Sequence, residues 1–78
     1  MNAGKLNRGG EEMRHLTPRE KEVLVLLCDG LKNTEVAQKL GMATKTVETH
    51  RANIMRKTGC RNIAELFRWA IKTGHVKV

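Results

Sequence analysis

Within residues 45–57, KTVETHRANIMRK, one side of a helix drawn at 3.6 residues per turn carries five side chains of different chemistry. Glu48 offers a carboxylate, Thr49 a hydroxyl, Ala52 a methyl, Asn53 an amide and Arg56 a guanidinium. The other side carries Val47, Ile54 and the short side chain of Thr58, with His50 and Arg51 at the edges. An amphipathic helix docks its apolar stripe on a core and leaves the rest for solvent or a ligand. The exposed groups make no nucleophile–base pair and no paired carboxylates, and no glycine loop in the chain would cradle a phosphate. Their chemistry is recognition, and no catalytic residue is assigned. His15, His50, His75 and the two cysteines show no zinc spacing, so no metal site and no cofactor is implied. His50 reads as a structural residue at the edge of the core.

The elements that must position this helix announce themselves by their ends. Thr17-Pro18-Arg19-Glu20 is a capping box with proline at the first helical position. It starts a helix running from Pro18 to about Asp29, with Val23, Leu24, Leu27 and Cys28 as its apolar face, widened by Leu26, and Gly30 as its stop. A second, short helix runs from Asn33 or Thr34 to Leu40, with Asn33 as candidate cap and Val36, Ala37 and Leu40 inward. Gly41 turns the chain, Met42 plugs the core, and the third helix starts near Thr44. Two helices joined by a three-to-four-residue glycine turn form a helix-turn-helix. Asn62 and Glu65 make a second capping box for a fourth helix, Ile63 to Lys72, with Ile63, Leu66, Phe67, Ala70 and Ile71 inward. Gly74 ends it, and Val76 and Val78 are placed to fold back on the core. The fold class is therefore all-α.

Seventy-eight residues make one domain near the lower end of what folds alone. The net charge is +7 and its placement is uneven. Residues 1–38 hold six basic and six acidic side chains, whereas residues 39–78 hold nine basic ones against Glu48 and Glu65. Nearly all of the excess lies on and after the third helix, which favours a polyanionic partner through counterion release; a merely solvated surface is the alternative. Residues 1–14, polar and containing Gly4, Gly9 and Gly10, read as a flexible leader or linker, and residues 15–78 as the domain. Cys28 and Cys60 sit in apolar segments outside any CxxC, as reduced, buried thiols of a cytoplasmic protein do. No apolar run spans a membrane, and the start carries no secretory h-region.

Leu16-Thr17-Pro18-Arg19-Glu20, Glu35-Val36-Ala37 with Leu40, Thr46-Val47 with His50, Ile54 and Lys57, and Asn62 followed by Ala64-Glu65-Leu66 strongly resemble the LuxR/FixJ (GerE-like) DNA-binding domain. That domain is the C-terminal output half of many bacterial response regulators and quorum-sensing regulators. The resemblance covers residues 14–78 and implies a four-helix fold. In it, helices two and three form the helix-turn-helix, the third enters the DNA major groove, and the fourth dimerises. Three positions depart from the family pattern. Ala43 stands where Ser or Thr usually caps the third helix, though Thr44 could shift the cap by one residue. Thr58 replaces a leucine, and Ile63 replaces a basic or linker residue.

The resemblance places base contacts on Glu48, Thr49 and Ala52. Glutamate accepts from cytosine N4, threonine bonds either way or meets a thymine methyl, and alanine meets that methyl. Glu48 also reads as a first-turn acid favoured by the helix dipole. Arg51 or Asn53 reaches base edges if the helix rolls. Lys45, Thr46, Arg56 and Lys57 flank this face as phosphate contacts, with Lys32 and Thr34 adding contacts at the start of helix two; Lys32 also reads as simply solvated. Glu65, Trp69 and Lys72 are the candidate dimer contacts, with Trp69 alternatively at the core rim. Two copies on DNA would set two third helices one helical turn apart. The expected function is sequence-specific binding of double-stranded DNA in transcription regulation. RNA polymerase and a receiver or ligand-binding domain on the N-terminal side are further candidate partners. A sigma-factor region-4-like promoter module is the nearest rival, but the fourth helix and the arginine-poor ETHRANIMRK argue against it. A helical protein-interaction module with its basic face on an acidic partner is the rival of another class.

Overall fold

A computed structural model describes residues 16–77; the expected leader and Val78 lie outside the described residues. Among the described residues four helices follow one another: α1 (Pro18–Cys28), α2 (Asn33–Leu40), α3 (Thr44–Thr58) and α4 (Ile63–Lys72). No strand occurs among the described residues, and none of their helices is long and apolar enough to cross a membrane. Each helix sends its apolar stripe into one shared core. Leu16, Val23, Leu24 and Leu27 meet Val36 and Ala37, Val47 and Ile54, and Leu66 and Ala70 there. Val76 packs against the same core from beyond α4.

The ends of the helices follow local chemistry, with informative exceptions. The Thr17 hydroxyl accepts from the Glu20 N–H at 3.0 Å, and the Glu20 carboxylate accepts from the Thr17 N–H at 3.0 Å. Helix α1 ends at Cys28, where Gly30 takes the left-handed conformation (φ 92°) and the Leu31 N–H closes onto the Leu26 carbonyl at 3.2 Å. The cap of α2 is Lys32 rather than Asn33. Its N–H donates to the Glu35 carboxylate at 2.7 Å, while Asn33 turns its amide oxygen to the Arg51 guanidinium at 3.4 Å. Gly41 takes the left-handed conformation (φ 67°), and the Met42 N–H then closes onto the Ala37 carbonyl at 2.9 Å. Only glycine adopts this conformation without a steric penalty. The turn places α3 directly after α2.

Helix α3 starts from Ala43 without a side-chain cap, and Thr44 does not take over that role; it is the first helical residue. At the other end Thr58 is buried, its hydroxyl donating to the Met55 carbonyl and accepting from the Cys60 N–H. A polar side chain is thus accommodated in the core rim by satisfying its own hydrogen bonds. On α4 the Asn62 amide oxygen caps the Glu65 N–H at 2.9 Å, but Glu65 reaches past Asn62 to the Arg61 N–H at 2.8 Å. The inner face of α4 is also narrower than its apolar residues suggested. Leu66 and Ala70 are buried, Ile71 is half-buried, and Ile63 and Phe67 are exposed. The core is already closed by Leu66, Ala70 and Val76 on that side, which leaves Ile63 and Phe67 on the flank.

Among the described residues an ion pair joins the first helix to the third. The Lys57 ammonium, near the end of α3, lies 2.8 Å from the Glu20 carboxylate at the start of α1. The side chains of Glu20 and Lys57 are only 4% and 18% exposed, so each needs the other. Burial pushes the Glu20 carboxyl up, but the hydrogen bonds from Lys57 and Thr17, with the nearby positive charges of Lys57 and His50, outweigh it and hold it below its ordinary 4.5. Cys28 and Cys60 are free thiols, half-buried rather than fully enclosed. Burial raises the Cys28 thiol above its ordinary value, and Asp29 adds to the effect.

Lys57→Met leaves a buried carboxylate without its counter-charge and lowers unfolding free energy by about 3 kcal/mol, whereas the double variant Glu20→Gln/Lys57→Met loses less, as chemical denaturation will show. Because the folded carboxyl is more acidic than the unfolded one, its stabilisation is complete above pH 4.5 and disappears as pH falls through the folded value; the double variant should lack this acid-side contribution. Ala43→Ser supplies the missing cap and raises stability by about 1 kcal/mol, visible as a rise in Tm of about 4–8 °C.

Candidate nucleic-acid interface

Helix α3 spends Val47, Ile54 and Thr58 on the core, packs Met55 against it and turns Lys57 inward, and so leaves Lys45, Thr46, Glu48, Thr49, Ala52 and Arg56 exposed. Lys45, Thr49, Ala52 and Arg56 recur at i, i+4, i+7 and i+11, so they form one continuous exposed stripe. Glu48 lies along one flank of that stripe, Thr46 and Asn53 along the other. The side chains at the middle are short, so nothing bulky holds a partner away from the helix. At one end of the stripe Arg56 donates to the Asn53 amide oxygen at 2.9 Å. Nearer the start, the Thr49 hydroxyl donates to the Lys45 carbonyl one turn back, at 3.1 Å.

The expected residues distribute unevenly over this surface. Glu48, Thr49 and Ala52 come together, exposed, in the first half of α3. Lys45, Thr46 and Arg56 are exposed around them. Lys32 and Thr34, also exposed, bracket Asn33, and the Arg51–Asn33 hydrogen bond pins that start of α2 beside the middle of α3. Arg51 is thereby engaged with α2 rather than pointing along the reading stripe. Lys57, expected among the phosphate contacts, is turned inward onto Glu20 and serves to hold α3 in place. The spacing of Lys57 on its own helix could not reveal this, since its partner is 37 residues away in the chain.

A second exposed region lies on α4. Glu65, Trp69 and Lys72 do share a surface: with Cys60, Arg68 and Ile71 they line an open groove of about 520 Å³. Trp69 is half-buried against the core and stacks on His75, ring centroids 5.4 Å apart. It therefore belongs to the core rim and to this groove at once. Burial, and then the positive charge of Lys21, hold the His75 imidazole below its ordinary value of 6.5. Sequence reasoning missed Ile63 and Phe67 as surface residues. They are 39% and 38% exposed, among the large apolar side chains that solvent reaches most. Their signal was present in the i, i+4 spacing, but it reads equally well as an inward face. Among the described residues no cluster of three or more His, Cys, Asp or Glu could hold a metal ion.

Comparison with known proteins meets this geometry. The family described as "Bacterial regulatory proteins, luxR family" matches residues 14–70. The chain is 44% identical over 61 residues to the transcriptional regulatory protein MctR of Rhizobium johnstonii, covering 78% of this chain and 28% of that protein. It is 40% identical over 65 residues to the transcriptional regulatory protein FixJ of Azorhizobium caulinodans, covering 83% and 31%. It is also 40% identical over 74 residues to the uncharacterized response regulatory protein YgeK of Escherichia coli, covering 95% and 50%. The chain thus spans half or less of the length of these relatives. With all four helices, the glycine turn and the exposed third helix inside or beside the matched segment, the chain belongs to the LuxR family of bacterial regulatory proteins.

Proposed function

We propose that this domain binds double-stranded DNA sequence-specifically, as a pair of copies, in the regulation of transcription. The observation that carries the reading is the continuous exposed stripe Lys45–Thr49–Ala52–Arg56, borne by the helix after the glycine turn and lying in the half of the chain that holds the excess positive charge. A helix presented in this way fits the major groove, about 12 Å wide. Glu48, Thr49 and Ala52 face base edges. Lys45, Thr46 and Arg56, with Lys32 and Thr34 from the start of α2, contact phosphates on either side. Lys57 acts by holding α3 against α1, so its contribution to binding is indirect.

The pairing surface is α4. Ile63 and Phe67 are exposed on one flank of it, and the groove of Glu65, Trp69 and Lys72 lies on the other. Covering two exposed apolar side chains supplies the driving force that a charged helix face would lack. The greater length of the relatives supports a further domain beside this one; we take it to be a receiver or ligand-binding domain on the N-terminal side.

Incubating the domain with a pool of randomised duplexes and sequencing those retained tests the reading directly. Paired half-sites about one helical turn apart are expected, and retention without enrichment would reduce the function to phosphate gripping. Lys45→Ala should weaken all duplexes alike and lower the slope of log affinity against log salt by about 1. Phe67→Glu should leave the fold intact by circular dichroism while abolishing the cooperative occupation of paired half-sites; unchanged cooperativity would remove α4 as the pairing surface.

A further inference from the structure

The hydrogen bonds already made on α3 narrow the chemistry that the helix can select. A backbone carbonyl only accepts, so the 3.1 Å contact between Thr49 Oγ1 and the Lys45 carbonyl consumes the hydroxyl proton of Thr49. What Thr49 presents outward is an acceptor lone pair and a methyl group. Glu48 presents a carboxylate, which accepts, and Ala52 a methyl. These three side chains lie together and exposed, and between them they offer no hydrogen-bond donor. Toward the end of the helix the polarity reverses. The Asn53 amide oxygen is taken by the Arg56 guanidinium at 2.9 Å, which leaves the Asn53 NH₂ and the remaining guanidinium N–H groups as donors.

We infer that the patch formed by Glu48, Thr49 and Ala52 on the reading helix selects base pairs by their exocyclic amino groups and thymine methyls, and cannot read guanine directly. Guanine shows the major groove only acceptors, N7 and O6, whereas cytosine N4 and adenine N6 donate and thymine carries a methyl. An A·T pair complements Thr49 and Ala52 together: the adenine amino group donates to Thr49 Oγ1 and the thymine methyl packs on the Ala52 methyl. A cytosine amino group donates to Glu48. Any guanine requirement in the half-site belongs to the far end of the helix, where Asn53 and Arg56 supply donors. Lys45, at the near end, lies on the same stripe and is assigned to phosphate. The inference rests on the proposed DNA reading and adds to it a chemical polarity along the helix.

The test uses the 78-residue chain and the duplex enriched from the random pool, resynthesised with single base analogues. Purine nucleoside in place of adenine and 2-pyrimidinone nucleoside in place of cytosine remove the amino groups. Deoxyuridine removes the thymine methyl, and 7-deazaguanine removes the guanine N7 acceptor. Thr49→Val, which keeps the shape and methyl but not the oxygen, identifies the base pair that Thr49 faces. At that pair and its neighbours, loss of an amino or methyl group should weaken binding about tenfold, and 7-deazaguanine should change it less than about twofold. In Thr49→Val the dependence on the amino group at that pair should vanish while the other positions keep theirs. A tenfold loss with 7-deazaguanine there, or an amino dependence untouched by Thr49→Val, would overturn the inference and leave DNA reading standing. A pool with no enriched duplex would instead overturn the DNA reading, and the inference with it.

Discussion

The buried ion pair between Glu20 and Lys57 fixes the direction of the helix on which everything else depends. Glu20 does two jobs with one carboxylate. It closes the capping box that starts α1, and it receives the ammonium at the end of α3. The first job sets where α1 begins; the second sets where α3 ends relative to it. Hydrophobic burial is non-directional and would tolerate some sliding of α3 over the core. A charge pair at 2.8 Å with both partners largely out of water tolerates little. The Arg51–Asn33 hydrogen bond does a lighter version of the same at the other end of the helix pair.

A helix held this firmly can afford a surface chosen for fit rather than for stability. Ala52 and Thr49 add little to the core, and their small size matters only if something approaches closely. The uncapped start at Ala43 points the same way: local stabilisation of α3 is weak, and tertiary contacts at its far end replace it. Thr58 shows how the packing accommodates a departure from the family pattern. A hydroxyl sits in a nearly closed site because the carbonyl of Met55 and the N–H of Cys60 are both within its reach.

Much of this was legible in the sequence because it is local. The Thr17–Glu20 box, the Gly41 turn and the order of four helices depend on residues within a few positions of one another, and the structure places them where those residues direct. Where local signals competed, the sequence was ambiguous. Asn33 was the expected cap of α2, with Asn33 or Thr34 as its start, but the Glu35 carboxylate accepts from the Lys32 N–H and sets the cap there. Ile63 and Phe67 fitted an inward face of α4 by periodicity alone, yet Leu66 and Ala70 are enough to close the core there.

The sequence by itself therefore determined the fold class, the helix-turn-helix, the family and the side of α3 that faces outward, since periodicity and capping are short-range properties of the chain. The tertiary structure alone decided which charged side chains are available to a partner. Lys45, Arg56 and Lys57 look alike along one helix, but Lys57 is withdrawn into the fold by a carboxylate far away in sequence. It alone also decided that the Thr49 hydroxyl turns back to the Lys45 carbonyl and that Asn53 is engaged by Arg56. A residue's type states what bonds it can make; only its neighbours in space, competing for those bonds, settle which ones are left to offer.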